Sequence, residues 1–257
     1  MMNRSISFHA LAAPLAASIA IAIPAVAQDG AAPAAPAAPA QAPAPAPAPA
    51  AAGVVFVKIS TSKGDMLLEL DAVKAPISVD NFMKYVKAGF YDGTVVHRIV
   101  PGFVVQGGGF DQAMVQKQTN PAITNEWKNG LKNGRGTISM ARLPSPDTAT
   151  SQFFLNLKDN PALDGANGPG YAVFGKIVVG LDVLDAMGAS PTTSKEVTNQ
   201  AGRKDTFSDV PVEAIVLTKA VELDAASAAS MIEAAKAKPA APAAPAAPAG
   251  AMPAQPK

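Results

Sequence analysis

The chain contains no cysteine. That absence excludes disulfide bonds, thiol nucleophiles, cysteine-ligated metals and a lipid-modified N-terminal cysteine. Histidine is nearly as scarce, with two in 257 residues. Only His97 remains once the first 27 residues are set aside. A Ser-His-Asp hydrolase would have to use it, and no GxSxG turn accompanies it. HExxH, a histidine pair and closely spaced carboxylates are missing as well, so the sequence implies no metal. GxxxxGK[ST] and GxGxxG are absent, and the triglycine Gly107-Gly108-Gly109 is by itself a weak nucleotide loop. No cofactor is expected. An excess of one charge is lacking too: the formal net charge is +1, with acids and bases interspersed. No basic run or aromatic-basic stripe offers a surface for nucleic acid.

Nor is there an apolar run suited to spanning a membrane. Residues 11–23 are apolar and alanine-rich but shorter than the roughly 20 residues a span needs, and Pro14 and Pro24 interrupt them. They follow a positively charged start, Met1-Met2-Asn3-Arg4, and precede Ala25-Val26-Ala27, a small-x-small site before Gln28. This is the layout of a secretory signal peptide over 1–27, with cleavage after Ala27. The expected product is periplasmic or secreted, without stable membrane insertion; an uncleaved anchor is the alternative. Residues 28–52 form an Ala/Pro-rich linker of polyproline-like character, and residues 238–257 form a disordered tail of the same composition. Both read as passive spacers, as tethers, or as ligands for proline-binding modules. Between them, 53–222 has ordinary globular composition, and about 170 residues suffice for a core without staples. The alanine-rich stretch 223–237 has high helix propensity but only a weak apolar face, from Leu223, Met231 and Ile232.

Within 53–222, Val55, Val57 and Ile59 alternate with polar residues, as do Met66, Leu68 and Leu70, with Ser62-Lys63-Gly64-Asp65 between them: a β-hairpin. Val79, Phe82, Met83 and Val86 recur at helical spacing, with Pro76 near the start and Gly89 beyond the end. Strand-like runs follow at 94–100, 103–106, 137–141, 153–156 and 171–178, then a short helix at 181–187 and a last strand at 212–219. Eight short strands and two helices suggest an antiparallel barrel whose interior is filled by side chains. A sandwich has the same periodicity.

One segment places polar residues among apolar ones: Val96-His97-Arg98-Ile99-Val100-Pro101-Gly102-Phe103-Val104-Val105-Gln106. A lone histidine in such a strand has the pattern of a hydrogen-bonded structural residue. Arg98 has two readings: a surface arginine on an alternating strand, or a partly buried one that needs acceptors, with Gln106 on the next strand as a candidate.

The sequence here resembles the cyclophilins. His97-Arg98-Ile99-Val100-Pro101-Gly102-Phe103 with Gln106-Gly107-Gly108 is similar to that family's first motif. Thr137-Ile138-Ser139-Met140-Ala141 with Ser151-Gln152-Phe153-Phe154 is similar to the second. Leu163-Asp164-Gly165 with Tyr171-Ala172-Val173-Phe174-Gly175-Lys176 is similar to the third. The three occur in the family's order between about 54 and 220. The resemblance implies a mainly β fold, a closed eight-stranded antiparallel barrel capped by two α-helices. It also implies peptidyl-prolyl cis-trans isomerase activity, a reaction that needs no nucleophile, metal or cofactor. Catalytic roles would fall to Arg98, Phe103 and Gln106, with Gln106 orienting the guanidinium. Substrate would be held by Val104, Gly107, Ala141, Arg142, Gln152, Phe154, Leu163 and Tyr171. The triglycine would let a peptide backbone approach. Phe153 and Phe154 are strand neighbours, so one faces core and the other the groove.

Three positions depart from the best-known pattern: Ala162 in place of tryptophan, Tyr171 in place of histidine, and Val104 in place of methionine. The lone Trp127 does not align with the missing tryptophan, so weakened cyclosporin binding is expected. Expected partners are proline-containing peptides and unfolded exported proteins, met by a monomer. A binding module with little turnover is the runner-up, and a cell-envelope scaffold rests on the Ala/Pro segments alone.

Overall fold

The computed structural model describes residues 53–166 and 168–237. The expected signal peptide, linker and tail lie outside the described residues.

β1 (Val54–Thr61) and β2 (Gly64–Asp71) form the expected hairpin, with Val57 opposite Leu68 and Ile59 opposite Met66, all buried. Ser62 and Lys63 make the turn, tied by the Thr61 hydroxyl, which donates to Gly64 O at 2.8 Å. α1 (Pro76–Lys87) buries Val79, Phe82, Met83 and Val86, the stripe its spacing predicts. Its N-cap, Ala75, has no side-chain acceptor. Glu126, far along the chain, supplies one: Oε1 accepts from Ile77 N at 3.0 Å, and Oε2 from Ser78 N and Oγ at 2.7 Å each. This satisfies two of the helix's free N–H groups and places a negative charge at its positive end.

The remaining strands are β3 (Thr94–Val95), β4 (Arg98–Val100), β5 (Val104–Gly107), β6 (Thr137–Met140), β7 (Phe153–Asn156), β8 (Val173–Val179), β9 (Thr192–Thr198), β10 (Lys204–Pro211) and β11 (Val216–Leu223). Nine of the strands form one antiparallel sheet in the order β3-β11-β1-β2-β8-β6-β7-β5-β4. The mainly β expectation holds, but the sheet is open and curled in place of a closed eight-stranded barrel. The difference arises at 94–100, read from sequence as one strand. Val96 N–H still bonds Ile215 O beside β11, whereas His97 N–H bonds Gln106 O on β5. The run therefore splits into β3 and β4, which stand at opposite ends of the strand order although only Val96 and His97 separate them.

Inside the curl, Phe82 packs on Tyr91, Phe174 and Phe153 with ring centroids 5.0, 5.3 and 5.7 Å apart. α2 (Leu181–Gly188) adds Leu184 and Met187 to the same core. The expected last strand, 212–219, instead runs Val216–Leu223, because Val212 is exposed in the turn after β10. β9 and β10 form a separate two-stranded hairpin, in a stretch where the sequence pattern predicts no strand. α3 (Ala225–Ala237) follows Asp224, whose carboxylate accepts from Ser227 N and Oγ at 2.9 Å each, and Ala228 is fully buried.

Candidate active site

Strand parity builds the site. Arg98 pairs across the ladder with Gln106, and Gln106 with Phe154, so these three side chains share one face of the sheet. Their neighbours Ile99, Val105 and Leu155 point the other way and are buried in the main core. Phe153 and Phe154 divide as expected: Phe153 joins the core, and Phe154 joins a second cluster with Val104 and Ala141. Phe103, Leu163 and Tyr171 are partly buried against that cluster, and the Phe154 and Tyr171 rings meet edge to face at 5.5 Å. Arg98 keeps 40 % of its side chain exposed.

Beside the apolar cluster, and sharing Ala141 with it, is a groove of about 610 Å³ lined by Arg98, Gln106, Arg142 and Gln152. Gln106 donates from Nε2 to Gln152 Oε1 at 3.0 Å. Arg98 Nε instead lies 3.6 Å from Asp209 Oδ2 on β10. Gln106 is thus the ladder partner of Arg98 while its amide serves Gln152. The Arg142 guanidinium donates to the carbonyls of Gly170, Leu143, Pro144 and Pro169 and lies over the Tyr171 ring, 4.4 Å from its centroid. It is held by its own loops. Ala141 N–H bonds Gln152 O at 2.9 Å, fixing the groove wall.

The triglycine leaves room for neighbouring side chains of the fold itself. A Cβ on Gly108, at φ +81, would lie 2.8 Å from the Phe153 ring, and one on Gly109 would lie 2.5 Å from Gln152 Cγ. These glycines admit the protein's own side chains. Gly107 has core parity, opposite Phe153, and lies against Val95 and Val96 away from the groove.

His97, beside the groove, is 1 % exposed between the rings of Phe110 and Phe207, at 4.7 and 6.0 Å. Burial pushes its pKa from 6.5 down to about 4, and the Arg98 charge adds to this. Among the described residues, no group of three or more His, Asp or Glu is arranged to hold a metal ion.

Two parts of the site were not read from the sequence. One is a buried amide network beneath the apolar cluster. Asn160 Nδ2 donates to Phe103 O at 3.1 Å and to Asn156 Oδ1 at 2.7 Å. Asn133 accepts from Ser139 Oγ at 2.8 Å and donates to Asp164 Oδ1 at 3.0 Å. It ties Phe103 to the 3-10 turn Pro161–Asp164, which carries Leu163. Asn156, polar within Phe153-Phe154-Leu155-Asn156, was the available hint. The other part is the β9–β10 wall, which had no sequence hint.

The class so defined is a mainly antiparallel-β protein with an open groove, in which Arg98, Gln106 and Gln152 adjoin an apolar cluster. Residues 56–212 match the family described as "Cyclophilin type peptidyl-prolyl cis-trans isomerase/CLD". Peptidyl-prolyl cis-trans isomerase A of Dickeya dadantii is 51 % identical over 165 residues, spanning 64 % of this chain and 82 % of its own length. Peptidyl-prolyl cis-trans isomerase B of Escherichia coli K12 is 42 % identical over 165 residues, 63 % of this chain and 95 % of its own. A Cryptosporidium parvum cyclophilin type isomerase, whose structure was also determined in the presence of the dipeptide Ala-Pro, superposes with a TM-score of 0.52 at 26 % identity, over 66 % of this chain and 98 or 99 % of its own. The chain belongs to the cyclophilin-type peptidyl-prolyl cis-trans isomerases and is an enzyme of that isomerase class.

Proposed function

We propose that the groove grips a proline-containing segment and turns its Xaa-Pro bond, and that the clients are incompletely folded exported proteins. The observation that supports this most is the half-exposed Arg98 on the same sheet face as the cluster of Phe103, Val104, Phe154 and Leu163. Rotation is slow because the nitrogen lone pair conjugates with the carbonyl, a barrier of about 18–20 kcal/mol for a peptide bond. Arg98 donates hydrogen bonds near the prolyl nitrogen and holds the lone pair there. That interaction is stronger in the twisted state than in the planar one, which is what lowers a barrier.

In this reading Phe103, Val104, Phe154 and Leu163 grip the proline ring, and Tyr171 closes the cluster. The backbone at Ala141 and Arg142 holds the residue before proline, consistent with an Arg142 side chain already committed elsewhere. Gln106 and Gln152 line the groove as a bonded pair. Export rests on the composition of residues 1–27. Uncatalysed isomerisation takes roughly 10–100 s, slow enough to limit folding outside the cytoplasm.

The test is isomerisation of an Xaa-Pro peptide by the purified protein and by Arg98→Ala. The wild type is expected to accelerate the reaction, and Arg98→Ala to lose at least about 10-fold in kcat/KM. No acceleration over buffer by the wild type defeats the enzyme reading, and an equally fast Arg98→Ala defeats the role given to Arg98. In the same assay cyclosporin is expected to inhibit weakly, because Ala162 offers no aromatic wall; inhibition at equimolar drug would contradict this.

A further inference from the structure

The β9–β10 hairpin lines the groove with Val197, Phe207 and Asp209, and packing fixes it there. Val197 and Val210 are buried with Val95, Phe110 and Met114, and Phe207 packs on Phe110 edge to face at 5.5 Å. Asp209, the residue before buried Val210, lies in the irregular stretch of β10 between Phe207 and Val210, where the pairing with β9 shifts register, so it is anchored by its packed neighbours and not by the ladder. Its Oδ2 lies 3.6 Å from Arg98 Nε, with the two side chains 39 % and 40 % exposed. Gln106, the ladder partner of Arg98, is turned to Gln152. Asp209 is thus the one acidic partner within ion-pair distance of Arg98 among the described residues.

We infer that Asp209 is a positioning residue for the isomerase site, holding the Arg98 guanidinium by its Nε edge and leaving the Nη groups for the substrate. The inference rests on the role proposed above for Arg98. Arginine carries five N–H donors in a rigid planar fork, so a carboxylate at one edge orients the other. Without it, the long side chain has to be ordered again at each encounter with substrate. Because both groups are open to water, the carboxylate weakens the guanidinium's field little, and ordering is the larger effect.

The test is Asp209→Asn in the full chain, a change of charge at nearly constant shape, followed by kcat and KM for one Xaa-Pro peptide and by thermal melting. kcat is expected to fall about three- to tenfold, with KM within about twofold of wild type, the split of an interaction that matters mainly in the transition state. Asp209→Glu, which keeps the charge, is expected to recover most of the loss, and melting of all three proteins to coincide. In an Arg98→Ala background, Asp209→Asn is expected to have no further effect. An unchanged or raised kcat for Asp209→Asn, no recovery by Asp209→Glu, or an equal loss without Arg98 overturns the inference while leaving Arg98's role standing. An Arg98→Ala enzyme as fast as wild type fails the parent reading, and this one with it.

Discussion

Between Phe110 and Phe207, His97 is held neutral at pH values where an unfolded histidine is already charged. Its pKa is 6.5 unfolded and about 4 folded. Between those values the unfolded chain binds the extra proton. The stabilisation is therefore complete above pH 6.5 and is lost as pH falls towards 4, amounting to about 3 kcal/mol across the window. His97→Gln is expected to flatten the pH dependence of the urea midpoint over that range; equal slopes for variant and wild type would contradict the assignment. The residue scale is also where sequence reading reached furthest. Alternation alone puts Phe153 and Phe154 on opposite faces and leaves Arg98 with two readings; the ladder that pairs Arg98 with Gln106 and Gln106 with Phe154 brings the three to one face. Partners that depend on distant chain are not legible this way. Nothing local to Arg98 points to Asp209, and nothing near Phe103 points to Asn160.

Among the elements, α1 depends on a loop for its cap. Glu126 binds Ile77 and Ser78 across a long sequence separation, so Glu126→Ala is expected to lower stability by about 1–2 kcal/mol, within the usual range for a lost helix cap. Amide exchange at Ile77 and Ser78 should accelerate more than elsewhere in α1. Uniform exchange across the helix would show that the cap has no such part. The bounds of α1 were legible because Pro76 and the apolar stripe are local signals. β9 and β10 were not, since Val197, Phe207 and Val210 are their only buried or half-buried large apolar residues, and the partners Phe110 and Met114 lie on another loop. The last strand was placed too early because Val212 is apolar yet exposed, so pattern alone permits either register.

For the whole molecule, periodicity carried the reading of a mainly β fold, but closure of the sheet was beyond it. Where a run of strand changes ladder partner is decided by distant strands, β11 and β5, and not by residues 94–100 themselves. The proposed export is checked by expressing the full chain in a bacterium and determining its N-terminus. The expected product begins at Gln28 in the soluble fraction outside the cytoplasm; a membrane-bound chain retaining 1–27 would favour the anchor. The broken run at Val96 and His97 also bears on how such a protein could meet unfolded polypeptide. The free edges of a sheet invite other chains to add a strand and begin aggregation. Here the outermost strands of the main sheet are only two and three residues long, and β3 is further covered by the bond from Val95 N to Phe110 O. An enzyme built this way can handle sticky, half-folded clients through side chains in a groove, with almost no exposed backbone on its main sheet for them to copy.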